Sequence, residues 1–244
     1  MITVFFGSGR YSSVCLERLA LSRHDIAAVV TRPDRKRGRG ARVRPALIKE
    51  AAAGILPGTK ILQPERLSEK GFREELGSAG ADLFVVVDYG QILTPEVLSA
   101  PRKYCVNLHP SLLPRHRGAS PVNHAILEGD RQTGNTVIKM NARMDAGDII
   151  GQTTLDIRDH ENAEELTQRL ARDGAELLVA TLDLIESGAE SFRPQNEAEA
   201  TYAPRLARED GHIDWHGDAD RICRMIRAFH PWPGAYTFLG DRKL

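Results

Sequence analysis

Cysteine is scarce in this chain: Cys15, Cys105 and Cys223 are the only three in 244 residues, and no two share a CxxC spacing. An odd, scattered set argues against a disulfide framework and a thiolate zinc site, and it fits a reducing, cytoplasmic compartment. No apolar run reaches the roughly 18 residues that a membrane-spanning helix needs. The opening MITVFFGSG has neither the basic n-region nor the long apolar h-region of a secretory signal. Net charge is missing too. Thirty-three Lys and Arg balance 33 Asp and Glu, so total charge names no partner. No internal repeat or low-complexity tract is present.

Two familiar signatures are incomplete. Gly7-Ser8-Gly9 follows an apolar run, but Ser12 stands where a GxGxxG fingerprint needs its third glycine. Thr31-Arg32 likewise replaces the carboxylate that would hold a ribose, so the glycines read as a tight βα turn. His212 and His216 have the i,i+4 spacing of a helical metal pair, yet Gly211 and Gly217 bracket them. With no HExxH or cysteine to complete a site, a surface turn is expected there, and no metal. His116 and His124 also lack a partner in the sequence and read as facing solvent or a backbone acceptor.

What is present is an alternation of strands and helices. ITVFFGSG reads as a buried strand and turn, YSSVCLERLALS as a helix, DIAAVVTR as a strand, and RPALIKEAAAG as a helix stopped by Gly54. KILQP, ADLFVVVDYG and YCVNLHP continue the strands; SEKGFREEL, PEVLSAP and ASPVNHAILEGD continue the helices, the last ended by Gly129. Such alternation predicts an α/β protein with a Rossmann-like, doubly wound and mainly parallel sheet. TVIKMN and DIIGQTTLDI add two strands. Leu166, Leu170, Leu177, Leu178, Leu182 and Ile185 then recur at helical spacing, predicting a long helix from about Ala163 to Ser187 packed on the sheet. Apolar periodicity fades over residues 189–210. The expected organisation is a first domain over 1–188, a linker wrapping over it at 189–210, and the entry to a second module over 211–244.

Charge is placed unevenly. Residues 31–50, TRPDRKRGRGARVRPALIKE, hold Arg32, Arg35, Lys36, Arg37, Arg39, Arg42, Arg44 and Lys49 against only Asp34 and Glu50. A basic cluster of this density in a Gly- and Pro-punctuated loop suits the docking of phosphates. The other distinctive stretch is VNLHPSLLPRHRGASP. Asn107 and His109, two apart on a strand, share a face and lie at its carboxyl end, where open α/β sheets place their ligands. Pro110 ends the strand, and SLLP would form a stiff wall beside the pair. An amide beside an imidazole, with no paired Ser or Cys nucleophile, suits direct attack of a substrate amine on an activated carbonyl. Both groups can stabilise an oxyanion, and a carboxylate can hold the imidazole charged and help remove the amine proton. That carboxylate is Asp145 or Asp148 of MDAGD. A turn-capping Asn and a buried, hydrogen-bonded His would carry the same pattern.

NLHPSLLPRHRG, followed at an interval by MDAGDII, resembles the 10-formyltetrahydrofolate-dependent formyltransferases, and the resemblance runs from Val4 to Leu244. It implies the formyltransferase fold, 10-formyltetrahydrofolate as formyl donor, and catalytic roles for Asn107, His109 and Asp145. Ser111, Leu112, Leu113 and Pro114 would fall in the tetrahydrofolate-binding stretch, and Tyr89, Gly90 and Ile92 would help line the pterin pocket. Three branches of the family compete. The branch acting on phosphoribosylglycinamide shares HPSLLP but lacks the linker and PWPGAY; the branch acting on nucleotide-linked amino sugars can share IDW and PWPGA. TRPDRKRGRG is similar to the loop with which a third branch enters the acceptor arm of methionyl initiator tRNA. TYAPRLAREDGHIDW and IRAFHPWPGAYT resemble that branch's linker and second-domain entry. The resemblance therefore implies formyl transfer to initiator methionyl-tRNA, with Arg35, Lys36, Arg37, Arg39 and Arg42 on the tRNA. It also implies chemistry without metal or covalent intermediate, and a monomer. The family's second domain is a small β-barrel, of which YTFL, Gly240-Asp241 and RKL supply one hairpin, so an incomplete barrel-type module is expected over 211–244.

Overall fold

A computed structural model describes residues 1–37 and 42–244, with the backbone alone at 36, 37 and 42–44. The first strand, β1 (Ile2–Gly7), sends alternate side chains into two separate cores: Phe5 into one, Val4 and Phe6 into the other. This is why its run is continuously apolar, since both faces of the strand are covered. Each such fully buried side chain contributes roughly 1.5–3 kcal/mol. Helix α1 (Arg10–Ala20) follows and buries Tyr11, Cys15, Leu16 and Leu19, and β2 (Asp25–Val30) pairs parallel to β1. The basic stretch, read as a loop, contains a short antiparallel hairpin of β3 (Arg35–Arg37) and β4 (Arg42–Arg44).

Helix α2 (Leu47–Ile55) runs through Gly54, which corrects the expected stop. The helix ends at Leu56 because the next residue is Pro57, whose ring disfavours helical backbone at the position before it. Then come β5 (Lys60–Leu62), α3 (Lys70–Ser78), β6 (Leu83–Val87), α4 (Pro95–Leu98) and β7 (Tyr104–His109). A two-residue strand β8 (Arg117–Gly118) leads into α5 (Pro121–Leu127), closed by Gly129 at φ +76°. β9 (Gln132–Lys139) and β10 (Ile149–Asp156) precede α6 (Ala163–Ser187). α6 starts at a capping box, in which Asn162 accepts from the Glu165 amide and Glu165 from the Asn162 amide, and it ends at left-handed Gly188. Its predicted leucine stripe is buried, apart from half-buried Leu177.

The seven-stranded sheet runs β10-β9-β7-β6-β1-β2-β5. The five strands from β7 to β5 are parallel, and β9 and β10 turn antiparallel at one edge. Helices α1, α5 and α6 cover one face. α3 and α4 cover the other, through Phe72, Leu76 and Val97. Residues 189–210 are stitched to this body. Arg193 and Ile149 exchange backbone bonds, and β11 (Tyr202–Ala203) pairs parallel with β8. α7 (Ala219–Ala228) lies against α5 and places Ala228, with the following Phe229, in the main core. A hairpin of β12 (Phe238–Leu239) and β13 (Arg242–Lys243) completes the described chain. Among the described residues no helix is long and apolar enough to cross a membrane.

Candidate active site

β7 delivers Asn107 and His109 to the carboxyl edge of the sheet, between β6 and β9, and ends there because Pro110 has no N–H to continue the ladder. The Asn107 amide donates to Asp145 Oδ1 at 3.2 Å. His109, only 5 % exposed, holds Nδ1 at 3.8 Å from Asp145 Oδ2. Its other nitrogen, Nε2, lies 2.9 Å from the His116 carbonyl. A carbonyl only accepts, so Nε2 carries a proton and Nδ1 is the atom free to gain or lose one toward Asp145. Asp145, whose own backbone is held in the left-handed region at φ +50°, also accepts the Gly118 amide on Oδ2 at 2.9 Å. Asp148 has no side-chain bond to His109 among the described residues; its carbonyl accepts from Lys139 in the sheet. The geometry therefore selects Asp145 of the two candidates.

The residues behind this trio were not singled out in the sequence. Gln195 Nε2 donates to the carbonyls of Asp145 and Gly147, at 2.8 and 2.7 Å, while its Oε1 accepts from Arg117 Nε and Nη2 at 3.1 and 2.8 Å. Arg117 is 1 % exposed and forks onto both Glu197 oxygens at 3.0 Å. That guanidinium, joined by Arg143, holds the Glu197 carboxyl down at about 2. Gly118 has to be glycine: its φ is +119°, and a Cβ would meet the Ala203 carbonyl oxygen at 2.7 Å. His116 faces neither solvent nor a backbone acceptor, as the sequence suggested. It is buried, and its Nε2 donates to Asp130 Oδ2 at 2.7 Å beside Arg115. His124 does find a backbone acceptor, the Ser120 carbonyl at 2.9 Å.

Asn107, His109 and Asp145 open into a cavity of about 530 Å³, which Tyr89, Gly90 and Ile92 also line. Gly90 sits at φ +73°, and the loop carrying it is pinned by Arg32, which donates to the carbonyls of Tyr89 and Gly90 at 3.2 and 2.6 Å. Burial pushes the Tyr89 hydroxyl up to about 12. Pro110 lines this cavity, and Ser111, Leu112, Leu113 and Pro114 continue from it. They turn back onto the sheet. The Ser111 carbonyl accepts from Thr136, the Leu113 amide donates to Thr136 Oγ1, and the Leu113 carbonyl accepts from Gln152. Of the basic residues, Arg35 lies on the surface 3.6 Å from Glu65, Lys36, Arg37 and Arg42 are placed by backbone in the hairpin, and Arg39 falls outside the described residues. A second, larger cleft of about 950 Å³ adjoins the cavity and shares Tyr11, Asp88, Gly90 and Asn123 with it. Among the described residues, His24, Asp183 and Glu186 cluster closely enough to hold a cation, but the Met1 ammonium and Arg23 already pair with both carboxylates.

Comparison with known proteins defines the class first. A family model described as formyl transferase matches residues 1–182, and a second, described as the formyl transferase C-terminal domain, matches residues 205–244. The methionyl-tRNA formyltransferase of Caldanaerobacter subterraneus subsp. tengcongensis is 41% identical over 245 residues, covering 100% of this chain and 79% of that protein. The methionyl-tRNA formyltransferase of Moorella thermoacetica is 43% identical over 244 residues, covering 100% of this chain and 78% of its own length. The chain belongs to the formyl transferase family and, within it, to the methionyl-tRNA formyltransferases. Solved structures share the fold at lower identity. A 4-N formyltransferase from Francisella tularensis superposes with a TM-score of 0.78 at 18% identity, covering 100% of this chain and 95% of that one. HypX from Aquifex aeolicus in complex with tetrahydrofolic acid gives 0.72 at 18% identity, covering 99% of this chain and 36% of that one.

Proposed function

We propose that this chain transfers the formyl group of 10-formyltetrahydrofolate to the α-amine of methionyl initiator tRNA. The observation that carries the reading is the convergence of Asn107, His109 and Asp145 on one cavity, in a chain over 40 % identical to methionyl-tRNA formyltransferases along its whole length. A cavity of about 530 Å³ lies within the ~300–1,000 Å³ range of small-molecule sites. Its apolar lining of Ile92, Leu93, Ile138 and Met140 suits a flat heteroaromatic ring. The donor supplies an activated formyl carbon. Asn107 has one N–H bonded to Asp145 and a second left for the oxyanion that forms when the amine attacks, and His109 Nδ1–H is the partner donor. Asp145 stabilises the imidazolium and fixes the ring. The new C–N bond forms as the formyl carbon leaves N10, without a covalent enzyme intermediate.

Phosphate recognition is assigned to the basic hairpin, with Arg35, Lys36, Arg37, Arg39 and Arg42 as the tRNA contacts. Residues 1–188 are read as the catalytic domain, 189–210 as the linker and 211–244 as part of a tRNA-binding module. The test is transfer of labelled formyl from 10-formyltetrahydrofolate to methionyl initiator tRNA by this chain. Transfer that fails at high tRNA and low salt, but proceeds to an amino-sugar nucleotide, refutes the acceptor assignment.

A further inference from the structure

β1 leads through α1 to β2 on one side of the sheet, while β6, its other neighbour, leads on to β7 on the opposite side. The crevice at the carboxyl ends of β1 and β6 is thus the topological switch point, where open α/β sheets receive ligands. Asp88, the first residue after β6, stands in it and lines both the 530 Å³ cavity and the 950 Å³ cleft. β6 pairs parallel with β7 so that Val86 lies beside Asn107, and just past the strand Asp88 turns left-handed at φ +48°. Its carboxylate rests on Gly9, where any Cβ would collide with Oδ2.

The charges of the cleft are sorted. Arg10, Arg32, Arg172 and Arg205 line it, a setting for phosphates, and two carboxylates join them, Glu164 and Asp88. Glu164 is already paired, with Arg10 at 3.3 Å and His230 at 4.0 Å. Asp88 has no hydrogen bond or ion pair among the described residues. Arg32 spends its Nε and Nη2 on the Tyr89 and Gly90 carbonyls, and the Ser12 hydroxyl takes the Ser8 and Gly9 amides at the start of α1. The one uncommitted carboxylate therefore stands where the cationic cleft meets the cavity of Asn107 and His109.

Resting on the function proposed above, we propose that Asp88 receives the acceptor's α-ammonium at this junction and takes from it the proton whose loss frees the nitrogen lone pair for attack. The C–N bond forms while the bond from the formyl carbon to N10 breaks. Two protons leave the nitrogen in all: the one Asp88 takes passes on to solvent, and the one lost as the C–N bond forms is matched by the one the departing N10 takes up, so no further reactant is needed. The surroundings suit the task. Although the residue is exposed to the open cleft, desolvation by the atoms crowding its carboxyl, opposed by the charge of Arg32, lifts it to about 6, close to where a proton acceptor works best at neutral pH. The groups around it are Tyr11 and Cys15 of α1, both pushed up by burial and so neutral, and Arg32 after β2, while His109 and Asp145 line the same cavity.

The test is Asp88→Asn, which keeps the shape and tolerates the left-handed backbone at φ +48°. The assay measures kcat/KM for methionyl initiator tRNA from pH 5 to 8, with tetrahydrofolate affinity measured alongside. The expected result is a loss of about 10²-fold in kcat/KM near pH 7.5, disappearance of the acid limb near pH 6, and folate affinity unchanged. Asp88→Glu, which retains a carboxyl, recovers part of the rate. An Asn variant within threefold of the parent, or one with the acid limb intact, overturns the proposal. So does a matching loss of folate affinity, which would make Asp88 a wall of the donor cavity. A parent protein that formylates no methionyl-tRNA refutes the functional reading instead.

Discussion

Replacing Gln195 by Leu should slow turnover far more than it unfolds the protein. Gln195 uses all its polar capacity: two N–H bonds to the Asp145 and Gly147 carbonyls and two accepted from Arg117. Leucine keeps much of the volume and none of the bonds. Arg117 retains its fork onto Glu197, so the principal loss is two carbonyls without donors, at about 1 kcal/mol each in this half-buried place. A total of about 2 kcal/mol lowers Tm by roughly 4–8 °C in a chain of this size. The catalytic effect is larger because Asp145 sits in a left-handed backbone, a conformation that costs a non-glycine residue ~1–2 kcal/mol and that Gln195 helps to hold. Released, the carboxylate drifts by about 1 Å, a displacement worth up to ~10²-fold in rate. The assay is kcat and both KM values beside a thermal melt. We expect kcat to fall 10- to 100-fold with KM changed less than threefold. Gln195→Glu should not rescue it, since a carboxylate cannot donate to either carbonyl. A melt shifted by several degrees with kcat within threefold of the parent would refute the positioning argument.

Asn107→Ala removes an oxyanion donor and should cost on the order of 10²-fold or more in kcat, with folate affinity nearly unchanged; near-normal turnover sinks its assignment. Neutralising Arg35, Lys36, Arg39 and Arg42 together should weaken tRNA binding and reduce the slope of log affinity against log salt by roughly 3, at ~0.7–0.9 for each phosphate that is no longer neutralised. Tetrahydrofolate titration should not move, and an unchanged salt slope returns the cluster to a solvated surface. Asp34 gives a pH prediction. Its carboxyl, bonded by Lys49 at 2.7 Å and by Gln63, is held down at about 2, so its contribution to stability is present above the ordinary value of 3.8 and is lost as pH falls from about 4 toward 2. Lys49→Met should flatten Tm against pH across that window, and a curve parallel to the parent's would show the pair to be inert.

The elements were legible because each is written in local periodicity. β1 and β6 read as unbroken apolar runs since both faces are covered, and the leucines of α6 recur at the pitch of a helix. Asn107 and His109 were legible as a pair for the same reason, two residues apart on a strand that Pro110 terminates. Helix boundaries were less so: Gly54 looked like a stop, but Pro57 sets the end through the steric limit it places on Leu56. The string NLHPSLLP marked Ser111–Pro114 through the resemblance alone. It could not reveal that their backbone is committed to Thr136 and Gln152 on neighbouring strands.

By itself, the sequence determined the alternating α/β architecture, the parallel sheet, the basic stretch and the Asn–His pair, because these depend on pitch, pleat and composition within a few neighbouring residues. Only the tertiary structure decided which carboxylate lies beside the pair. Asp145 and Asp148 are chemically equal and three residues apart; the Gly118 amide and the left-handed turn bring one of them to His109. The structure likewise joined Arg117 to Gln195 and Glu197 across 78 and 80 residues, and set Asp88 where two cavities meet. Such meetings follow from how loops close over a finished sheet, and no local pattern along the chain encodes them.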